Sequence, residues 1–271
     1  MNELHEPYPL TEAQIQQFRE DGFIKLKNVF SKVAFDKYAP TITRLVHEEN
    51  RLAGLPMEER TTYQQAFIQV GNLWRKDETA KEFSFSKRLA RIATELMGTR
   101  GTRMYHDQAL YKEESGGFTP WHADQQYWPL ASAKSVTAWV PFQPVPVEMG
   151  PLCFGKGSHI KNIGRDLEIS DESEALIRQL IRENGIVEVL EPFECGEVSF
   201  HTGWTLHRAG PNTSGRPREV HTVIFMDIDM KLAEPKNENQ VNDRNAFAPG
   251  IEVGEIMATE MNPVLYEVPS E

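Results

Sequence analysis

From Gly98 onward the chain is a succession of short runs rich in Val, Phe, Trp, Thr and Tyr, punctuated by Gly and Pro. They cover residues 102–112, 135–142, 152–154, 186–190, 198–201 and 219–227. Short strands separated by turn residues do not build alternating βαβ units; they build a sandwich or a jelly roll. One helix interrupts the series, where Leu176, Ile177, Leu180 and Ile181 fall on one helical face. The first hundred residues read differently. Thr11 and Gln14 form a capping box for a short helix whose apolar face is Ile15 and Phe18, and Gly22 stops it. Phe23-Ile24-Lys25-Leu26 then alternates as a strand. A second helix is expected within 31–53, carrying Phe35, Tyr38, Ile42, Leu45 and Val46. A third runs from Lys87 to Met97 on Leu89, Ile92, Ala93 and Leu96, closed by Gly98.

The 271 residues suffice for one large domain or two small ones. No internal repeat or low-complexity linker divides them, so one domain is expected over 1–271. Its parts are a helical region of about 1–100, a β core of about 101–230 and an acidic C-terminal segment, 231–271. The net charge of −11 argues against nucleic acid as a partner, because phosphate neutralisation needs a basic footprint. No run of 18 apolar residues suggests a membrane span. The start, Met1-Asn2-Glu3-Leu4-His5, does not read as a secretory signal, and the end does not read as a peroxisomal address. With only Cys153 and Cys195, expected to be buried small hydrophobes, a cytoplasmic setting is expected. Residues 227–271 hold ten acidic and three basic side chains, which reads as a solvated surface segment or a mobile lid.

The chemistry concentrates in Pro120-Trp121-His122-Ala123-Asp124-Gln125-Gln126-Tyr127-Trp128. On a strand, His122 and Asp124 share a face. One imidazole and one carboxylate need a second imidazole to complete the two-His, one-carboxylate set that suits non-haem Fe(II). By itself His-x-Asp is most often a surface pair. The distal segment from Gly196 to Arg218 changes that reading. A strand bearing Val198 and Phe200 leads to His207, a turn rich in Gly, Pro, Asn and Ser follows, and a β-rich run returns from Arg218. Such a hairpin would set Arg218 deep in the core near a metal held by His207. A buried guanidinium requires an anion and binds a carboxylate bidentately. The distal carboxylate of 2-oxoglutarate meets that need. The alternative arginine, Arg216, precedes Pro217 in the turn and ranks below Arg218.

With these landmarks the chain resembles the phytanoyl-CoA dioxygenase (PhyH) family of Fe(II)- and 2-oxoglutarate-dependent oxygenases. The likeness runs from the helix, Asp21-Gly22 and strand of the opening segment to about Phe225. It rests on His122-x-Asp124, on Gly150-Pro-Leu-Cys-Phe-Gly-Lys-Gly-Ser-His159, and on His207-x-x-Gly-Pro-Asn with Arg218 eleven residues beyond His207. The resemblance implies a mainly β fold with flanking helices around a double-stranded β-helix, that is, a jelly-roll, cupin-like core. It implies that His122, Asp124 and His207 hold Fe(II) and that Arg218 grips 2-oxoglutarate. Trp139, in Thr137-Ala-Trp-Val-Pro141, and Gln108 stand where relatives contact the cosubstrate. With O2, such an enzyme hydroxylates or otherwise oxidises an unactivated C–H bond of a small organic molecule and releases succinate and carbon dioxide. Halogenating relatives carry a small residue at the carboxylate position, so Asp124 favours hydroxylation.

Other readings stay open at this level. The same barrel could serve a cosubstrate-independent cupin-type dioxygenase or hydrolase, or a non-catalytic binder of small ligands. His201 is expected to be structural, His159 to secure the turn at Gly157, and His106 and His221 to be spare. Gly155-Lys-Gly-Ser lacks the spacing of a phosphate loop. Asn212-Thr-Ser has the form of a glycosylation sequon that the cytosol would leave unused. Trp121, Gln125, Gln126, Tyr127 and Trp128 either line an amphipathic pocket or belong to the core. The stretch 75–103, with eight basic and four acidic residues, reads as a solvated helix face that could also meet an anionic substrate such as an acyl-CoA. Substrate identity and oligomeric state cannot be read from these residues.

Overall fold

The computed structural model describes residues 3–269. Its first hundred residues are mostly helical: α1 (Glu12–Asp21), β1 (Phe23–Leu26), α2 (Lys32–Glu48), α3 (Thr62–Ala66), β2 (Ile68–Gly71), α4 (Glu78–Ser84) and α5 (Lys87–Met97). The β core follows as β3 (Gly101–Tyr111), β4 (Thr119–His122), β5 (Ser135–Pro141) and β6 (Leu152–Gly155). Helix α6 (Asp171–Glu183) precedes β7 (Glu188–Leu190), β8 (Val198–Thr202), β9 (His207–Ala209) and β10 (Val220–Asp227). The tail adds α7 (Glu238–Phe247) and β11 (Val264–Glu267). No helix among the described residues is long and apolar enough to cross a membrane.

Two antiparallel sheets face each other as the halves of a jelly roll. The larger has the order β1-β8-β5-β10-β3-β11, with β2 also paired to β3; the smaller has the order β4-β9-β6-β7. Strand β3 is long enough to take β2 along residues 108–111 and β11 along residues 101–103. The β10–β3 ladder shifts register between Ile224 and Phe225.

Period-two alternation decides which side chains meet the helices and which meet the space between the sheets. Val136, Ala138 and Val140 of β5, Val198 and Phe200 of β8, and Val223 and Phe225 of β10 join one apolar cluster with Phe35, Tyr38, Ile42, Phe83, Leu89 and Ile92 of the helices. Burying each Val, Ile, Leu or Phe side chain of this cluster contributes about 1.5–3 kcal/mol. The alternate positions, Thr137 and Trp139, His201, and Thr222, line a cavity between the sheets.

Local signals explain the helix limits. Thr11 and Gln14 make the capping box of α1, and Gly22 closes it with φ 83°. Ser31 caps α2 and Ser86 caps α5, which Gly98 ends in the left-handed region. Gly22 has a second reason to lack a side chain. A Cβ there would lie 2.4 Å from Nδ1 of His159 and 2.6 Å from Oγ1 of Thr205. Nε2 of His159 is 3.1 Å from the Arg19 carbonyl, so this histidine ties the Gly157 turn to the end of α1. Gly22→Ala is therefore expected to lower stability by about 2–4 kcal/mol, combining left-handed strain with overpacking. Urea melts of the two proteins measure it.

Behind the larger sheet, Ser84 Oγ donates to Asp107 Oδ2 at 2.6 Å and lies 2.9 Å from His221 Nε2. The Trp74 N–H also donates to Asp107 at 3.0 Å. All three side chains are buried, so His221 is a strut between α4, β3 and β10. Burial pushes its imidazole down to about 3 and the Asp107 carboxyl up to about 6.

Three expectations need correction. Residues 227–269 are not a solvated segment but pack on the core. Glu234, Glu238, Glu252, Glu255, Glu260 and Glu267 are exposed, while Leu232, Ala248, Met257, Asn262 and Leu265 are buried. The charge excess is the outer face of a packed element. Cys195 is exposed, although Cys153 is buried. The basic stretch 75–103 is not simply a solvated face: Arg88 is buried, donating to the backbone carbonyls of Glu6 and Val29.

Candidate active site

His122 ends β4 and His207 begins β9, and the two residues are register partners on adjacent strands. Their ring centroids are 4.2 Å apart. Nδ1 of His122 lies 2.8 Å from the Pro120 carbonyl, and Nδ1 of His207 lies 3.0 Å from the Thr205 carbonyl. A backbone carbonyl accepts only from N–H, so each ring carries its proton on Nδ1 and presents a bare Nε2 lone pair. Burial pulls both imidazoles down to about 4, which keeps them neutral.

Asp124 does not continue the strand. Ala123 is extended, and Asp124 opens the short 3-10 turn Asp124–Gln126, so its carboxylate swings toward the two rings. Oδ1 is 3.7 Å from Nε2 of His122 and 3.6 Å from Nε2 of His207. Oδ2 accepts from Oγ1 of Thr137 at 2.9 Å and lies 3.1 Å from Nε2 of His201. Burial alone would raise this carboxyl, but the imidazoles of His207, His201 and His122 outweigh it and hold it well below the usual carboxylate range. One ligand atom from each of His122, Asp124 and His207 lies within 4.8 Å of the others.

Arg218 enters the same cavity from a different sheet. Segments β9 and β10 belong to the smaller and larger sheets, so the connection between them crosses the barrel and is not the expected hairpin. Arg218 still arrives in the interior, because it bridges to Lys112 beyond the end of β3. Asn212 holds the crossing turn by donating to the carbonyls of Glu113 and Arg216. Arg216 itself is exposed. The Arg218 guanidinium is 1% exposed, lies 5.3 Å over the Trp139 ring and donates through Nη1 to the Gly150 carbonyl. Its Nε has no partner, and no carboxylate of the described residues pairs with it. Burial pulls it down to about 9. Lys112, buried beside it, is pushed down to about 6 by burial and by the Arg218 charge.

Gly150 has φ 72°, and a Cβ there would sit 2.3 Å from the Gly210 carbonyl oxygen, which is backbone and cannot yield. Gly150→Ala would therefore displace the carbonyl that anchors Arg218. It is expected to cost about 2–4 kcal/mol of stability, read from thermal melts.

Every residue singled out in the sequence for this chemistry meets in one cavity of about 830 Å³: His122, Asp124, His207, Arg218, Gln108 and Trp139. Gln108 accepts from Nε2 of Gln69 at 2.5 Å. Tyr127 and Trp128 line the cavity, whereas Trp121 is buried in a separate apolar cluster beside α6. Gln125 is buried too, spanning from the Ser132 carbonyl to the Ser135 hydroxyl. His201, expected to be structural and not a ligand, stands outside the group of ligand atoms and contacts Asp124, a partner that the sequence reading did not name. Its signal was available: Val198 and Phe200 face the helices, so position 201 on the same strand faces the cavity.

The sequence profile of the phytanoyl-CoA dioxygenase (PhyH) family matches residues 18–220. The chain belongs to the phytanoyl-CoA dioxygenase family. Its class is thus that of the iron- and 2-oxoglutarate-dependent dioxygenases. Among relatives, the phytanoyl-CoA dioxygenase domain-containing protein 1 homolog of Dictyostelium discoideum is 21% identical, over 88% of this chain and 98% of that one. The ectoine dioxygenase of Streptomyces avermitilis is 20% identical, over 84% and 83%. Among solved structures, the non-haem α-ketoglutarate-dependent carbocyclase SnoK of nogalamycin biosynthesis superposes with a TM-score of 0.76. It is 23% identical, covering 96% of this family member and 99% of SnoK. The epimerase SnoN, solved with Fe3+, α-ketoglutarate and nogalamycin RO, gives 0.74 at 24% identity, covering 94% and 98%. These likenesses establish a jelly-roll oxygenase fold for this member of the family.

Proposed function

We propose that this protein oxidises a C–H bond of a small organic molecule, with hydroxylation as the outcome and succinate and carbon dioxide released from 2-oxoglutarate. His122, Asp124 and His207 would hold Fe(II). The single observation that carries the reading is Arg218, a buried guanidinium without an anion in the cavity that also contains the triad. A charge in that position demands a counter-ion, and a dicarboxylate chelating a metal at the triad supplies one.

The donor set fits the group. Two neutral imidazoles with their Nε2 atoms turned inward and an ionised carboxylate are the facial set that leaves positions free for a bidentate cosubstrate and oxygen. Iron and 2-oxoglutarate, when bound, supply the oxidising chemistry. The chain's own residues bind, orient and exclude water. Arg218 would take the distal carboxylate, with Trp139 stacked on its guanidinium and Gln108 on the neighbouring strand as a further polar contact. Thr137 and His201 hold Oδ2 of Asp124, so that Oδ1 stays directed at the two imidazoles. The shared cavity is of a size that suits a small ligand as well as the cosubstrate.

Thr137→Val and His201→Phe each remove one of those Oδ2 contacts. Each is expected to weaken Fe(II) retention about 10-fold or more, as outer-sphere changes do at metal sites. Competition with a chromogenic chelator measures it. The test of the function itself is stoichiometry. Purified protein with Fe(II), 2-oxoglutarate and O2 should form succinate and carbon dioxide in equal amounts, slowly alone and faster with substrate. Oxygen uptake without succinate would instead mark a cosubstrate-independent dioxygenase.

A further inference from the structure

The cavity has a second end whose chemistry the iron and cosubstrate do not use. Arg218 pairs with Lys112 at one extreme of β3, and Tyr105 lies seven residues earlier on that strand, about 20 Å away along its length. There α7 closes the cavity, presenting Asn239, Asp243, Ala246 and Phe247 to it. Asp243 and Phe247 are four residues apart and so lie one above the other on the helix.

Asp243 is a carboxylate without a cation. Its Oδ2 accepts from the Tyr105 hydroxyl at 2.9 Å, and no Lys, Arg or His among the described residues forms an ion pair with it. Of the other charged groups on the cavity, Lys76 is paired with Glu49 at 2.7 Å, Arg51 and Glu168 lie on other loops, Asp124 belongs to the triad, and Arg218 is at the far end. Around Asp243 stands an aromatic group. Tyr105 is 5.4 Å from Trp128 and 5.3 Å from Phe247, and His106 stacks on Phe247 at 4.5 Å. His106 is 7% exposed and lines the cavity. Asp243, His106, Trp128 and Phe247 border the common space, with Tyr105 buried behind them, and a carboxylate beside aromatic rings is what a cationic nitrogen requires: a counter-ion and the negative faces of rings.

We propose that this end of the cavity is the substrate-recognition subsite, and that it takes a protonated amine with Asp243 as counter-ion and His106, Trp128 and Phe247 as its aromatic surround, Tyr105 standing behind them and holding Asp243. The inference rests on the reading of the cavity as the active site of a 2-oxoglutarate dioxygenase. Burial pushes the Asp243 carboxyl up to about 7, with only the Tyr105 hydroxyl opposing the rise, so a bound cation would also restore the charge of this group.

Calorimetry on protein loaded with Fe(II) and 2-oxoglutarate, without oxygen, tests it. The probes are naphthylethyl-dimethylamine, its neutral isostere with carbon in place of nitrogen, and the matching naphthyl carboxylate. The amine should bind about tenfold more tightly than the isostere, and the carboxylate more weakly than either. Asp243→Asn keeps an acceptor for Tyr105 and should erase the amine preference; Phe247→Leu should reduce it. Equal affinity for amine and isostere, no binding of the amine, tighter binding of the carboxylate, or a preference that survives in Asp243→Asn would each overturn the proposal. The visible absorbance of the iron–2-oxoglutarate chelate, recorded on the same wild-type sample, separates the two readings. A chelate without amine preference removes only the subsite, and amine preference without a chelate removes only the oxygenase reading.

Discussion

Replacing Asp124 with alanine is expected to lower succinate formation more than about 100-fold and to leave the protein unable to retain Fe(II). Loss of an outer contact at a metal site costs about 10- to 100-fold, and loss of a ligand must exceed it. The structure makes Asp124 hard to substitute. Its carboxylate receives Thr137 and His201 on one oxygen and faces the imidazoles of His122 and His207 with the other. The variant should fold, because Asp124 lies on a cavity wall in a short turn whose backbone bonds are independent of the side chain. Circular dichroism and iron content, measured on the same preparation, separate a lost ligand from a lost fold. Full turnover in Asp124→Ala would remove the triad from the metal.

Much of this site was legible in the sequence because its residues sit beside strong local signals. The strand bearing Val198 and Phe200, and the Thr137-Ala-Trp139 alternation, told inside from outside, and the spacing of His207 and Arg218 survived even though their connection is a crossing and not a hairpin. What escaped is what periodicity cannot show. Strands β4 and β9 are four and three residues long, too short to display an alternation, yet they carry two of the three metal-directed side chains. Helix α7 has almost no apolar stripe: its Val241 is exposed, and it is held by Phe247 and Ala248 packing on Tyr105 and Trp128. Only tertiary structure reveals that an acidic tail walls the cavity. The geometry of Asp124 was likewise set by a turn that the His-x-Asp spacing, read as a strand, did not contain.

The second large effect concerns Arg218. Arg218→Ala is expected to raise the 2-oxoglutarate requirement about 100-fold, with turnover at saturating 2-oxoglutarate much less affected. Two charge-assisted hydrogen bonds to a carboxylate contribute at least about 3 kcal/mol together, and 1.4 kcal/mol is a factor of about ten. Arg218→Lys should not restore affinity, since an ammonium offers one point of contact where the guanidinium offers two parallel donors. A stability readout adds a signature that a purely structural arginine would lack. In the cosubstrate-free protein Arg218 is a buried charge with an unpaired Nε beside buried Lys112, so its removal should leave the melting temperature unchanged or higher. Added 2-oxoglutarate should then stabilise the wild type, with Fe(II) present, and have little effect on the variant. An unchanged 2-oxoglutarate requirement would mean that another cation takes the carboxylate.

The most direct test of the central claim is an anaerobic titration of the purified protein with Fe(II) and 2-oxoglutarate, following the visible charge-transfer absorbance of the chelate, with Asp124→Ala and Arg218→Ala beside it. The account predicts a band in the wild type that saturates with one iron per chain, fails to form in Asp124→Ala, and in Arg218→Ala needs about 100-fold more 2-oxoglutarate. Bound iron with no such band in the wild type, or a band indifferent to both substitutions, would contradict it.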